Sequence, residues 1–272
     1  MWLWLSLVAL WASSPLHQAP ADAPSQAVSS KIWIGRYAEF EAYLRVAKIE
    51  RTTGTAVGVL SPRHAYFEPG GLAKGSAIKK VRPGKVNGYF ESYKSEIAAY
   101  KLDRLLQLDM VPPTVERLVD HDPASVQLWV EDTRMLKEIE TLKLKSPDPD
   151  GWNRQFHRVQ VFDDLVGNID ENKGNLLFDR AWNFIKIDHS RAFTDPQALP
   201  FDLEKTIKQI DRPFFERLKA LTRDAVAREI GDLLEPGALG ALFRRRDRIV
   251  KTFEAMAAKT GDAKVFVPWP EQ

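Results

Sequence analysis

Apolar positions change their spacing near the middle of this chain. From Lys31 to about Val130 they mostly alternate with polar residues or gather in short runs between Gly, Pro, Asn and Asp, which is the period of strands. YLRVAKIERTTGTAVGVL reads as two strands around a Thr-Thr-Gly turn, and HAYFEPGG as a third that ends in a glycine-rich loop. SAIKKV reads as a short strand with Ala77, Lys79 and Val81 on one face. One helix interrupts them: in SYKSEIAAYKLDRLLQL, Ala98, Leu102, Leu105 and Leu106 share a face. VPPTVERLV returns to an extended path, because a residue before proline avoids the helical region, and DHDPAS turns the chain into VQLWVE.

After about Asp132 the apolar spacing becomes helical. WNRQFHRVQVFDDLVGN predicts one helix, and DLEKTIKQI, PFFERLKALT, DAVAREIGDLL and ALGALFRRRDRIVKTFEAMAAKT predict four more. Within the last, FRRRDRIVK reads as a solvated basic face, and the tryptophans as packing residues. No internal repeat is present. The expected fold is α+β and two-lobed: a β-rich N-lobe with one helix over 31–131 and a mainly helical C-lobe over 132–272.

Composition narrows the class. With 272 residues, 44% apolar and 28% charged, the chain is globular in type, and a formal net charge of +2 gives no reason to expect nucleic acid as a partner. MWLWLSLVALWASS is too short to span a bilayer comfortably, and a Pro-, Ala- and Ser-rich stretch follows it. Residues 1–30 therefore read as a signal peptide or anchor plus a disordered linker. The protein is expected to be exported (secreted, periplasmic or in a secretory-pathway lumen), or held at a membrane if that segment is not cleaved. There is no cysteine, which excludes thiolate chemistry, and the five histidines have no zinc-ligand spacing.

The polar residues that stand out lie in GNIDENKGNLLFDRAWNFIKIDHSRAF, residues 167–193. Asp170 and Asn175 form D-x-x-x-x-N, and Asp188 follows two short strands, LLF and FIKI. Taken alone this could be a polar turn. A calcium loop fails, because Asn175 and Ala181 stand where Gly and Glu are required. In kinase-like phosphotransferases, however, such an Asp orients the acceptor hydroxyl, and the Asn and second Asp hold divalent cations against the nucleotide phosphates. The same chemistry needs a strand lysine on the phosphates and a helix glutamate paired with it. Lys79, in Ser76-Ala77-Ile78-Lys79, and Glu96 occur upstream in the required order. Order decides for the site: catalytic Asp170, Lys79 and Glu96, with metal-binding Asn175 and Asp188. EPGGLAKGS is not a P-loop, since Ser76-Ala77 replaces the required Lys-Ser/Thr; Gly70, Gly71 and Gly75 are read as a glycine hairpin over the nucleotide.

ESYKSEIAAYKLDRLLQLDMVPPTVERLV together with IDHSRAF resembles the secretory-pathway kinases of the Golgi casein kinase group, which carry an E-I-A-A-[FY]-x-L-D-R helix, a V-P-P strand start and an L-D-N-G-R-G-F metal motif. NIDENKGNLLF is also similar to the N-x-D-x-x-x-x-N loop of phosphatidylinositol 3-/4-kinases. The resemblance runs from roughly Gly70 to Phe193 and implies a two-lobed protein-kinase-like fold and an atypical kinase using ATP with Mg2+ or Mn2+. The acceptor would be a hydroxyl on a protein, a sugar or an inositol lipid. Glu171 stands where relatives often have Arg, His189-Ser190 replaces Asn-Gly, and the family's cysteines are absent. An AMP transferase on the same fold, and a non-catalytic nucleotide-binding module, stay open as alternatives.

Overall fold

In the computed structural model the described residues are 28–54, 62–170, 173–194 and 203–269. The amino-terminal part is built from α1 (Tyr37–Val46), β1 (Ile49–Gly54), β2 (Arg63–Phe67) and β3 (Gly75–Lys79), then a hairpin of β4 (Gly84–Val86) and β5 (Tyr89–Glu91). Helix α2 (Tyr93–Leu106) leads to β6 (Thr114–Val119) and β7 (Asp122–Leu128). The remainder comprises β8 (Arg134–Met135), α3 (Leu136–Thr141), α4 (Pro149–Val166), β9 (Leu176–Phe178), β10 (Phe184–Lys186), α5 (Leu203–Thr206) and β11 (Ile210–Asp211). It closes with α6 (Arg212–Ala220), α7 (Arg223–Ile230), α8 (Ala238–Thr260), α9 (Asp262–Val265) and β12 (Phe266–Val267).

Five strands pair antiparallel in the order β1-β2-β3-β7-β6, which puts Lys79 at the end of the central strand, opposite Ser125. The β6–β7 turn is only Asp120-His121, both left-handed at φ 51° and 67°, the twist a two-residue hairpin needs. The amino-terminal part holds two helices where one is predicted. The YLRV of the first predicted strand is the end of α1, whose Phe40 and Leu44, one turn apart, are buried together with Trp33 against the sheet. The strand that follows is β1, and the second half of that predicted hairpin, residues 55–61, lies outside the described residues.

Two cores result. One joins α1 to the five-stranded sheet, and β10 contributes Ile185 to it. The other is helical, and α2 belongs to it: Ala98, Leu102 and Leu106 are buried with Val159 and Phe162 of α4, Phe214 of α6 and Leu242 of α8. A helix that follows the sheet's central strand in sequence is thus fixed on the helical mass.

Helix α4 ends at Gly167, φ 65°, where an added Cβ would lie 2.8 Å from the Arg245 guanidinium carbon. That arginine corrects the reading of FRRRDRIVK as solvated: Arg245 is 1% exposed, its Nε donating to the carbonyl of Leu165 and another guanidinium nitrogen to that of Thr194. Two of the described tryptophans pack as read: Trp152 stacks on Phe178 at 4.3 Å and meets Trp182 edge-on, anchoring the β9–β10 hairpin to α4. The expected leader, residues 1–30, falls almost wholly outside the described residues. Its last two residues are docked, since Ser29 Oγ and Ser30 N–H both donate to Asp179 Oδ2 at 2.9 Å. Among the described residues no helix is long and apolar enough to cross a membrane.

Candidate active site

Helix α2 begins at Ser92, whose hydroxyl accepts from the Lys94 N–H as an N-cap. Its first turn is stitched to the segment after β10. Ser92 N–H donates to the Ser190 carbonyl at 2.9 Å, Ser95 Oγ to the Ala192 carbonyl at 3.2 Å, and His189 N–H to Glu96 Oε2 at 3.0 Å. Tyr93 N–H donates to the Val81 carbonyl just past β3 at 2.7 Å. The helix start therefore holds the exit of the lysine strand and the Asp188 segment side by side.

Lys79 lies between them. Its Nζ is 2.5 Å from Glu96 Oε1 and 2.5 Å from Asp188 Oδ1. Burial alone would depress the Lys79 pKa, but the charges of Asp188 and Glu96 outweigh it and hold the ammonium above its ordinary range. Burial would likewise raise Asp188, yet Lys79 and the Ser190 hydroxyl bring it down to about 2. Glu96, only 2% exposed at its side chain, is pushed upward by burial against the pull of Lys79. Asp188 is left-handed at φ 64°, an uncommon conformation for a residue other than Gly or Asn and one that collects at functional sites. His189 beside it is wholly buried and kept neutral by burial and by Lys186 and Lys79, its ring set edge-on to Phe162 at 5.9 Å.

Asp170 and Asn175 share a loop held from below. The Asp170 N–H donates to Asn168 Oδ1 at 3.2 Å, and Asn175 Nδ2 to the Asp170 carbonyl at 3.2 Å. Asn168 Nδ2 donates to Asp163 Oδ1 at 3.0 Å, and Asp163 forms a fully buried ion pair with Lys186 at 2.9 Å. Ile187 N–H donates to the Asn175 carbonyl at 3.1 Å, which ties this loop to the strand leading to Asp188. Arg191 closes the arrangement: its Nε donates to Glu91 Oε1 at 2.8 Å and a terminal nitrogen lies 3.0 Å from Asp170 Oδ2.

Lys79, Glu96 and Asp188 therefore meet directly; Asn175 is tied to the Asp188 segment through the Ile187 N–H, and Asp170 through Arg191, three residues beyond Asp188. The glycines differ. Gly71 sits where an added Cβ would fall 1.9 Å from the Tyr43 hydroxyl oxygen, and Gly75, within β3, where it would fall 2.3 Å from the Ala65 carbonyl oxygen. Close packing accounts for both; Gly70 is left-handed at φ 84° with open space around it. Sequence reading missed Asp163, Asn168 and Lys186 as supports. Their signal was faint but present: an acidic pair in the apolar FDDLV turn, and a lysine inside the FIKI strand.

Among the described residues no three His, Asp or Glu side chains converge into a cation cage. Asp188 and Asn175 carry hard oxygen donors, the type taken by a cation that keeps waters and draws its other ligands from substrate phosphates.

An antiparallel sheet with its lysine strand central, one glutamate helix beneath it and a helical remainder make a kinase-like fold of the atypical kind. Solved structures with the same fold are the Golgi casein kinase, at TM-score 0.67 and 16% identity over 85% of this chain and 79% of that one, and its Mn/ADP-bound form at 0.66 and 15% over 87% and 80%. A Fam20 from hydra with sugar matches at 0.66 and 15% over 85% and 92%. The Helicobacter pylori proinflammatory kinase CtkA matches at 0.54 and 14% over 80% and 98%. No family model matches the chain, and no curated protein matches its sequence.

Proposed function

We propose that this protein transfers the γ-phosphoryl group of ATP to a hydroxyl group, with a divalent cation, Mg2+ or Mn2+, carried in with the nucleotide. The observation that carries the reading is Lys79, held at 2.5 Å by both Glu96 and Asp188. A lysine fixed by a helix carboxylate on one side, beside a metal-binding carboxylate on the other, is poised for nucleotide phosphates. The Mn/ADP-bound neighbour supports a nucleotide with a divalent cation.

In this scheme the acceptor oxygen attacks the γ-phosphorus, the bond to the β–γ bridging oxygen breaks, and ADP leaves. Asp170 orients the acceptor hydroxyl and receives its proton. Arg191 aims that carboxylate, and Glu91, fully buried, aims Arg191. Lys79 binds the phosphates and is itself placed by Glu96. Asp188 and Asn175 would hold the cation; when bound, it neutralises charge on the phosphates. Gly70, Gly71 and Gly75 would line the nucleotide side of the sheet. We take 31–131 and 132–272 as the two lobes of this site, and a protein hydroxyl as the acceptor class, ahead of a sugar or lipid. The apolar leader supports an activity outside the cytosol or at a membrane.

The test is label transfer with Mg2+ or Mn2+, using ATP labelled at the γ- or the α-phosphate. Label from the γ-position alone, lost in Asp170→Ala and Asp188→Ala, supports the reading. Label from the α-position makes the protein an AMP transferase. Metal-dependent ATP binding without any transfer makes it a nucleotide-binding module.

A further inference from the structure

A cavity of about 380 Å³ opens where the α2–β6 connection meets α4, α6 and the segment after β12, and is lined by Lys31, Gln107, Asp109, Arg158, Arg217 and Trp269 among others. Its volume lies within the range of small-molecule sites. None of the residues placed at the active site lines it.

The lining is rich in donors. Lys31 is 92% buried (8% exposed), yet among the described residues its ammonium makes no hydrogen bond and no ion pair within 4 Å. Burial pulls its pKa down to about 8, against Asp103, Asp179 and Asp109 acting from farther away. Among the described residues the other buried lysine, Lys186, has a carboxylate in contact, Asp163. Arg158 gives Nε and one terminal nitrogen to Asp211 at 2.9 and 2.7 Å and stacks on Trp269 at 3.4 Å, which leaves its remaining terminal nitrogen. Arg217 uses one terminal nitrogen, on the carbonyls of Leu106 and Gln107. Against these cations the lining sets one carboxylate, Asp109, already accepting from the Tyr37 hydroxyl.

A buried cation without a partner is costly, and costs less when an anion supplies the missing charge and acceptors. We propose that this cavity is a binding site for the phosphate group of a small molecule, with Lys31 and Arg217 as its principal donors and Arg158, braced by Asp211 and Trp269, as the third. Planar, forked guanidinium groups and a compact ammonium together suit a tetrahedral oxyanion. Phe184 and Trp269 provide an apolar wall for an attached organic body. Phe184 begins β10, so the ligand would rest on the strand that runs on toward Asp188.

The test is thermal stability of the full chain against orthophosphate and phenyl phosphate, at ionic strength matched with chloride and without divalent cation. Stabilisation should appear in the parent and in Asp188→Ala, persist in the parent under saturating ATP and Mn2+, and weaken at least tenfold in apparent affinity in Lys31→Met and in Arg217→Gln. Those two variants should keep the metal-dependent ATP shift. Tighter binding of phenyl phosphate identifies a phosphate ester as the natural ligand; equal or weaker binding identifies free phosphate. No stabilisation beyond chloride, its loss under saturating nucleotide, or an unchanged response in Lys31→Met overturns the proposal.

Discussion

Arg191 stands 3.0 Å from Asp170 while its Nε donates at 2.8 Å to Glu91, a carboxylate with no exposed surface. Arg191, three residues after Asp188, thus sets the direction of the carboxylate proposed as catalytic base, and Tyr89 of the β4–β5 hairpin covers its guanidinium at 4.8 Å. Replacing Arg191 by Met removes the aim of Asp170 and strands Glu91. Phosphoryl transfer should fall by roughly 10- to 100-fold, with about 3 kcal/mol lost in chemical denaturation. Glu91→Gln in the same background should recover stability without recovering turnover; recovery of both would mean that Arg191 only balances charge.

In the proposed site Glu96 acts on nucleotide through Lys79. Glu96→Gln keeps an acceptor for the His189 N–H but loses the charge that draws Lys79 away from Asp188. Turnover should drop on the order of tenfold or more, with a smaller change in melting temperature. Lys79→Met should abolish the ATP-induced thermal shift in the presence of Mn2+. An intact shift in that variant would remove Lys79 from the phosphate site.

Asp188 and Asp103 should give opposite pH signatures. The folded-state pKa of Asp188 is about 2, below its ordinary 3.8, so its stabilisation is present above pH 3.8 and is lost as pH falls toward 2. Asp103 is raised to about 7, first by burial and then by Asp109, despite the Met110 N–H it accepts. Its contribution is complete below pH 3.8 and disappears as pH rises through 7. Melting curves from pH 4 to pH 8 should therefore fall less steeply in Asp103→Asn than in the parent. Asp188→Asn should lose its deficit relative to the parent only at the acid extreme.

The ion pair of Lys186 and Asp163, unexposed on both sides, supports the Asp170 loop through Asn168. Lys186→Met alone leaves a buried carboxylate and should cost about 3–5 kcal/mol in urea unfolding. The double change Lys186→Met with Asp163→Leu should restore most of that stability. Turnover should stay low, because Asn168 has then lost the carboxylate that orients it. Full activity in the double variant would show that the pair contributes only to folding.

Much of this molecule is written in short-range pattern. The face shared by Ala98, Leu102 and Leu106 specifies α2, the alternation around Ile78 specifies β3, and Gly167 ends α4 where the helical pattern of FDDLV stops. The order Lys79, Glu96, Asp170, Asn175, Asp188 proposes a site from sequence alone, since each of these residue types answers to one chemical demand of phosphoryl transfer, and Lys79, Glu96 and Asp188 do meet in the fold. Tertiary contacts decided what periodicity could not carry. Tyr43 and Leu44 alternate plausibly as a strand but finish a helix, because Phe40 and Trp33, outside that window, share their core. Arg245 looks solvated by composition and is buried, because the Leu165 carbonyl left over at the end of α4 and the Thr194 carbonyl take its donors. Arg191 meets Glu91 and Asp170, and Lys31 faces its cavity, only once strands and helices far apart in sequence have come together. The types of group at the site follow from local sequence; which charges are paired, and which is left waiting for a ligand, follows from long-range packing.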